Sequence, residues 1–294
     1  MFFLPILTDF ILPLCCYPYS FSTSMDWLLE RAVGSTTKGV SFGHHSFSDL
    51  DFADDVALLA ELLGLLVPVL EMMATEARSL MLEVNWQKIE VQALGSREDE
   101  PSTITPQGQE VAVVEEFVYL GSLIHSTTQS FPDISRRNAI TRAAMQNLDW
   151  SQIWKSRISI STKLKLYNTC ILHIFLYGSE CWAVTNMDVN KIDTLDQWCL
   201  HKRLEIKWYH HVQNDIRRKT EQPRLLATVQ AWRLSLFDHI AQMPDKSDAK
   251  QILTASPFEN WRRPPGRPRT IQMKTTQQDL EPLNLSLNKA TDLA

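Results

Sequence analysis

No two of the five cysteines stand in a C-x-x-C pair. Cys15 and Cys16 are adjacent, Cys170, Cys181 and Cys199 are scattered, and Cys170 with His173 makes an isolated C-x-x-H with no second half. That spacing argues against a structural zinc site and for ordinary buried thiols. The odd count argues against a disulfide scaffold. Basic residues are missing from residues 1–22, which carry Asp9 and prolines at 5, 13 and 18. A signal peptide opens with positive charge, and a spanning helix needs about 20 apolar residues with few charges, so this apolar start reads as neither. No membrane partner is expected, and an intracellular chain is favoured over a secreted one.

Positive charge stays scarce through residue 110, where 5 Lys/Arg face 16 Asp/Glu for a net −11. Residues 151–224 reverse the balance, 12 against 7 for a net +5, inside a chain whose formal charge is −5. An acidic part beside a basic part suits a metal-binding region next to a surface for nucleic-acid phosphates, although uneven surface charge alone has the same look. With 294 residues, 44% hydrophobic and 21% charged, the chain has material for one large or two small domains.

Asp49 to Leu59 reads D-L-D-F-A-D-D-V-A-L-L, two short apolar runs separated by Asp54 and Asp55. Such a pattern predicts two strands joined by a tight turn. Neighbouring carboxylates repel unless a cation lies between them, which suits Mg²⁺. The same pair also reads as a solvated Asp-Asp turn.

Helices are predicted on both sides of this stretch. Residues 25–33 place Trp27, Leu28, Ala32 and Val33 for packing on a sheet, with Gly34 as a stop and Gly39 to Phe42 as the next strand. Residues 61–82 put Leu62, Leu65, Leu66, Leu70, Met73, Ala77 and Leu80 on one face, with Pro68 in a first turn or at a kink. From Asp133 the texture is helical. Arg136, Arg137 and Arg142 fall on one side of a helix and Ile140, Ala144 and Leu148 on another. Ser161 is a plausible N-cap for a helix over Leu164 to Tyr177, with Lys155, Arg157, Lys163 and Lys165 facing outward. Residues 188–208 give a further helix with Ile192, Leu195, Cys199 and Leu204 inward.

The F-A-D-D-V-A-L-L stretch resembles the catalytic turn of reverse transcriptases of non-LTR (long interspersed element-type) retrotransposons. Further stretches resemble that family in its order. L-M-L-E-V-N-W-Q-K carries Asn85 and Lys88 of the family's Gly-Leu-x-x-Asn-x-x-Lys run, with Met81 at the glycine. F-V-Y-L-G resembles the primer-grip hairpin in Phe117, Tyr119, Leu120 and Gly121. Phrases resembling the downstream region include Ile153-Trp154, the run from Ile158 to Tyr167, Leu176 to Trp182, the altered Cys199, Lys202 and Arg203, and Arg233 to Asp245 with Asp238 and Gln242 substituted. The Trp261 to Thr270 run reads as an extended basic arm.

The resemblance implies an α+β fold: a partial polymerase palm of antiparallel strands plus helices, then a mainly helical thumb-like region. It implies catalytic and Mg²⁺-binding roles for Asp54 and Asp55, and a leaving-group role for Lys88, which reads equally as a solvated lysine. Phe117, Tyr119, Leu120 and Gly121 would grip a DNA primer paired to an RNA template. Arg136, Arg137, Lys155, Arg157, Lys163 and Lys165 would contact nucleic acid, with simple solvation equally open for the exposed lysines. The expected divisions are an atypical apolar start (1–24), the palm part (25–128), the helical part (129–245) and a flexible Pro/basic tail (246–294). Residues 1–24 match neither the family's Gln-Gly segment nor its upstream metal-binding aspartate, and Asp9 lies outside a matching context. The expectation is therefore a truncated polymerase, inactive alone, or a non-catalytic nucleic-acid-binding remnant or relic.

Overall fold

The strand Asp55–Ala60 is buried along almost its whole length because its sequence, DVALLA, is apolar at every position after the aspartate. It belongs to a computed structural model that describes residues 2–7, 18–34, 39–52, 55–95, 101–150, 153–203, 222–255, 271–283 and 285–287, with side chains from Thr23 onward except Trp150. The chain is α+β and divides into two compact units, Met1–Thr128 with Thr254–Pro264, and Gln129–Leu253 with Pro265–Ala294.

The first unit holds β1 (Phe2–Leu7), α1 (Pro18–Gly34), β2 (Val40–Phe42), β3 (His45–Phe47), β4 (Asp49–Phe52), β5 (Asp55–Ala60) and α2 (Leu63–Ser79). After them come β6 (Val91–Ala93), β7 (Thr103–Ile104), β8 (Val111–Val114), β9 (Glu116–Tyr119) and β10 (Ser122–His125). Six strands form one sheet in the order β4-β5-β1-β6-β8-β7, and β2–β3 and β9–β10 are separate hairpins. The period of two along β5 sends Val56, Leu58 and Ala60 into a core with α1 and α2, which supply Met25, Leu28, Leu70 and Met73. The other face, Ala57 and Leu59, packs with Val40, Phe47 and Phe117 of the small hairpins. Gly39 stands where the backbone passes so close that a Cβ would lie 2.0 Å from the Phe47 carbonyl oxygen.

The apolar start contributes a strand that periodicity did not announce. β1 runs antiparallel to β5 from Phe2↔Ala60 to Leu7↔Asp55. Pro5 is tolerated because β6 pairs only with Phe2 and Phe3, so among the described residues β1 has no strand partner on that side at the proline. Among the described residues no helix is long and apolar enough to cross a membrane.

Other departures have local causes. Trp27 lies on the outer side of α1, 37% exposed, with the Arg31 guanidinium 4.9 Å from its ring centroid. Leu62 is the extended N-cap of α2 and therefore outside its buried stripe. Pro68 is the sixth residue of α2, beyond the first turn, and occupies the exposed side, where the Gly64 carbonyl left without its helical donor can meet water.

In the second unit α3 is Phe131–Trp150, and α4 (Ile160–Leu166) runs through a π-helical turn, Tyr167–Leu172, into α5 (His173–Leu176). Then come α6 (Asn186–Arg203), α7 (Leu225–Ala241), α8 (Asp248–Thr254) and α9 (Gln272–Leu280). Their core gathers Ile134, Met145, Trp154, Phe175, Ile192 and Val229. A buried polar chain crosses it. Arg233 donates to the Asp279 carboxylate at 2.8 Å and to the Trp182 carbonyl at 2.6 Å, and the Trp182 indole N–H donates to Asp133 at 2.8 Å. A buried cation paired on both sides locks register among α3, α7 and α9, since removing one partner strands the others.

The N-cap of α4 is Ser159 rather than Ser161; its hydroxyl accepts from the Thr162 N–H at 3.2 Å. On α3 the buried stripe is Ile134, Arg137, Thr141 and Met145, which leaves Ile140 37% exposed. Leu204 and the Trp261 to Thr270 arm lie outside the described residues.

Candidate metal-binding hairpin

β4 and β5 form the expected hairpin. Its register runs from Asp49↔Leu58 to Phe52↔Asp55, so two residues, Ala53 and Asp54, separate the last pair in sequence. Ala53 and Asp54 lie outside the described residues; Asp55 is half-buried. Strand alternation puts Asp55 on the same face of β5 as Ala57 and Leu59, the face that packs against Phe117.

Phe117 is buried in that core, and two residues on, the Tyr119 hydroxyl donates to the Leu50 carbonyl on β4 at 3.3 Å. The β9–β10 hairpin thus lies against the acidic one. Its two central residues, Leu120 (φ 45°) and Gly121 (φ 79°), both have positive φ, the requirement of a type I′ turn whose twist matches paired strands. Gly121 meets that demand freely and Leu120 under strain. At the base of the hairpin the buried Gln92 side chain donates to the carbonyls of Glu115 and Ile124, each at 2.9 Å.

The electrostatics mark the same spot. Burial foremost, then the carboxylates of Asp55 and Asp51, raise the Tyr119 phenol above its ordinary value. Asp51 was not among the residues singled out from the sequence, although the alternation D-L-D-F contains it. Asp55 offers a half-buried hard oxygen donor in a negative field, to which Asp51 adds from the opposite face of the hairpin, the face of its register partner Val56. That donor set fits Mg²⁺, which binds through one or two carboxylates and keeps several waters. Among the described residues no three metal-ligating side chains converge.

Lys88 is exposed at the end of the turn Trp86–Lys88. Asn85 builds that turn: its carbonyl accepts from the Lys88 N–H at 3.0 Å and its side-chain oxygen from the Gln87 N–H at 3.2 Å. Upstream, α2 ends in a two-bond cap, Met81 N–H to the Arg78 carbonyl and Leu82 N–H to the Ala77 carbonyl. That cap needs a left-handed residue, and Met81 supplies it at φ 59°.

The basic residues expected at nucleic acid divide in two. Lys163 is only 7% exposed and its ammonium donates to the Trp154 carbonyl, so it faces inward rather than outward. Arg137 is buried too. Its guanidinium lies 4.7 Å from the Tyr177 ring centroid and donates to the Ile174 carbonyl at 3.3 Å. Helical spacing placed both on polar faces, but in the folded unit each meets a backbone carbonyl. Arg136 is half-exposed near Asp133, at 3.9 Å, and Lys155, Arg157 and Lys165 are exposed.

No family model matches the chain. Over 233 residues, 76% of this chain and 81% of the other, it is 25% identical to a putative uncharacterized transposon-derived protein of Caenorhabditis elegans. That similarity points to a transposon origin.

Proposed function

We propose that the chain descends from the RNA-directed DNA polymerase of a non-LTR retrotransposon, its first unit a part of the palm and its second a thumb-like helical region. The observation that carries this reading is the juxtaposition of two hairpins: Asp55 on the face that receives Phe117, with Tyr119 reaching across to Leu50. An acidic strand end beside an aromatic hairpin is what positioning a primer's end near a metal requires. Asp54 and Asp55 would hold Mg²⁺, which when bound supplies charge neutralisation to a phosphoryl group under attack. The aromatic hairpin would hold a DNA primer paired to an RNA template. Lys88, in this reading, lies with the leaving phosphate and offers it positive charge.

Nucleotidyl transfer by two metals needs ligands that clamp both the attacking and the leaving oxygen. The hairpin contributes one part of such a set, and we infer that the chain by itself extends no primer. Primer extension on an RNA template with Mg²⁺ tests this. No product is the expected result; extension that vanishes in Asp54→Asn would overturn the inactivity and keep the ancestry. A second reading, nucleic-acid binding without catalysis, is favoured by the polar seam between α3 and α6.

A further inference from the structure

Three contacts cross between α3 and α6 in the same order along both helices. The Lys191 ammonium donates to the Ser135 hydroxyl at 3.1 Å, the Arg142 guanidinium lies 5.2 Å from the Trp198 ring centroid, and Lys202 pairs with Asp149 at 2.8 Å. The two helices therefore run side by side in one direction. Between the first two contacts lies a groove of about 440 Å³ whose lining includes Ser135, Asn138, Arg142, Asn190, Lys191 and Thr194. The spacing 135, 138, 142 on α3 and 190, 191, 194 on α6 lays one polar stripe of each helix along the walls. None of the lining residues is a carboxylate.

We propose that this groove binds the phosphodiester backbone of single-stranded nucleic acid. It holds two cations, and both are set in place by neighbours: Lys191 also has its ammonium 3.4 Å from the Phe131 ring centroid, and Arg142 rests on Trp198. Cations ordered in advance lose less freedom when they take up a ligand. The hydroxyls and amides add donors for further phosphate or sugar oxygens, the contacts that position a strand without reading its sequence. From Lys191 to Trp198, the partner of Arg142, α6 rises about 10 Å, enough to set the two cations at neighbouring phosphates of one strand. A single concave groove reaches one line of phosphates, which favours one strand over a duplex and over a flat anionic membrane. The footprint differs from the basic residues picked out by motif, two of which are buried.

This inference deepens the nucleic-acid-binding reading and does not depend on the acidic hairpin. Its test uses the full chain with a dye-labelled oligouridylate in EDTA, so that failure of the metal site leaves the result untouched. Anisotropy is followed across a salt series. Wild type is expected to bind at low salt. Each phosphate contact contributes about 0.7 to the slope of log affinity on log salt for single strands, so Arg142→Gln and Lys191→Gln should each flatten it by about 0.7 and the double variant by about 1.4. Arg142→Lys should restore most of the slope, Lys274→Gln on α9 should leave it unchanged, and circular dichroism should show each variant folded. Absence of wild-type binding, an unchanged slope in the folded double variant, or binding to phosphatidylserine vesicles that the oligouridylate does not displace would each overturn the proposal.

Discussion

The hydroxyl of Tyr119 donates to the carbonyl of Leu50 at 3.3 Å, joining the aromatic hairpin to the acidic one across 69 residues of chain. The bond is partly exposed, so its net worth is small. Tyr119→Phe should cost about 0.5–1 kcal/mol in urea unfolding, and Leu50 should lose nothing else. A cost near that of a core deletion would contradict the exposed setting of this bond, since the variant keeps the ring and removes only the hydroxyl.

Met81 holds a left-handed conformation at the end of α2 while 80% exposed. Nothing at that exposure repays the strain through packing. Met81→Gly should therefore stabilise the chain by about 0.5–1 kcal/mol, the relieved strain exceeding the added freedom of the unfolded glycine. Unchanged or lower stability by chemical denaturation would contradict the assigned cap.

Lys163 and Lys165 are two residues apart on α4 and should behave as opposites. Lys163→Ala leaves the buried Trp154 carbonyl without its donor and should cost about 1–3 kcal/mol. Lys165→Ala, at an exposed position, should stay within about 0.5 kcal/mol. Equal effects in thermal unfolding would refute the inward placement of Lys163.

Cys170 is exposed, whereas Cys199 is buried and its thiol is pushed up to about 12, burial being the main cause. A thiol kept neutral in the fold ionises more readily once unfolded. Its contribution to stability is thus whole below its ordinary value of 9.0 and is lost as pH rises from there toward about 12. Alkylation mapped by mass spectrometry in mild alkali should mark Cys170 and spare Cys199 until the chain unfolds. Early modification of Cys199 would count against its burial.

The acidic hairpin was legible because its signal is local: apolar runs of strand length around a polar pair, paired in the structure from Asp49↔Leu58 to Phe52↔Asp55. The long helices followed from spacing for the same reason. What failed depends on partners far away in sequence. Trp27 and Leu62 fit apolar stripes but stay 37% and 59% exposed. Arg137 and Lys163 look solvated on a helical wheel, and only the folded unit brings the Ile174 and Trp154 carbonyls to them. The β1 strand, with its proline, became readable only once β5 supplied a partner along its length. Lys191 escaped notice because the groove it serves is shared with a helix 56 residues earlier.

The claim that a divalent cation belongs at the acidic hairpin is tested most directly at Tyr119, whose phenol is raised by burial and by Asp55 and Asp51. Carbon-13-labelled tyrosine, followed by NMR through a pH titration with and without millimolar Ca²⁺, reads that field; Ca²⁺ is a hard-cation stand-in that stays dissolved where Mg²⁺ precipitates as its hydroxide. A cation at Asp55 offsets the carboxylate field, so the Tyr119 midpoint should fall when Ca²⁺ is added, and Asp55→Asn should lower it beforehand and blunt the response to Ca²⁺. A Tyr119 curve identical with and without Ca²⁺ in the wild-type chain would contradict the account.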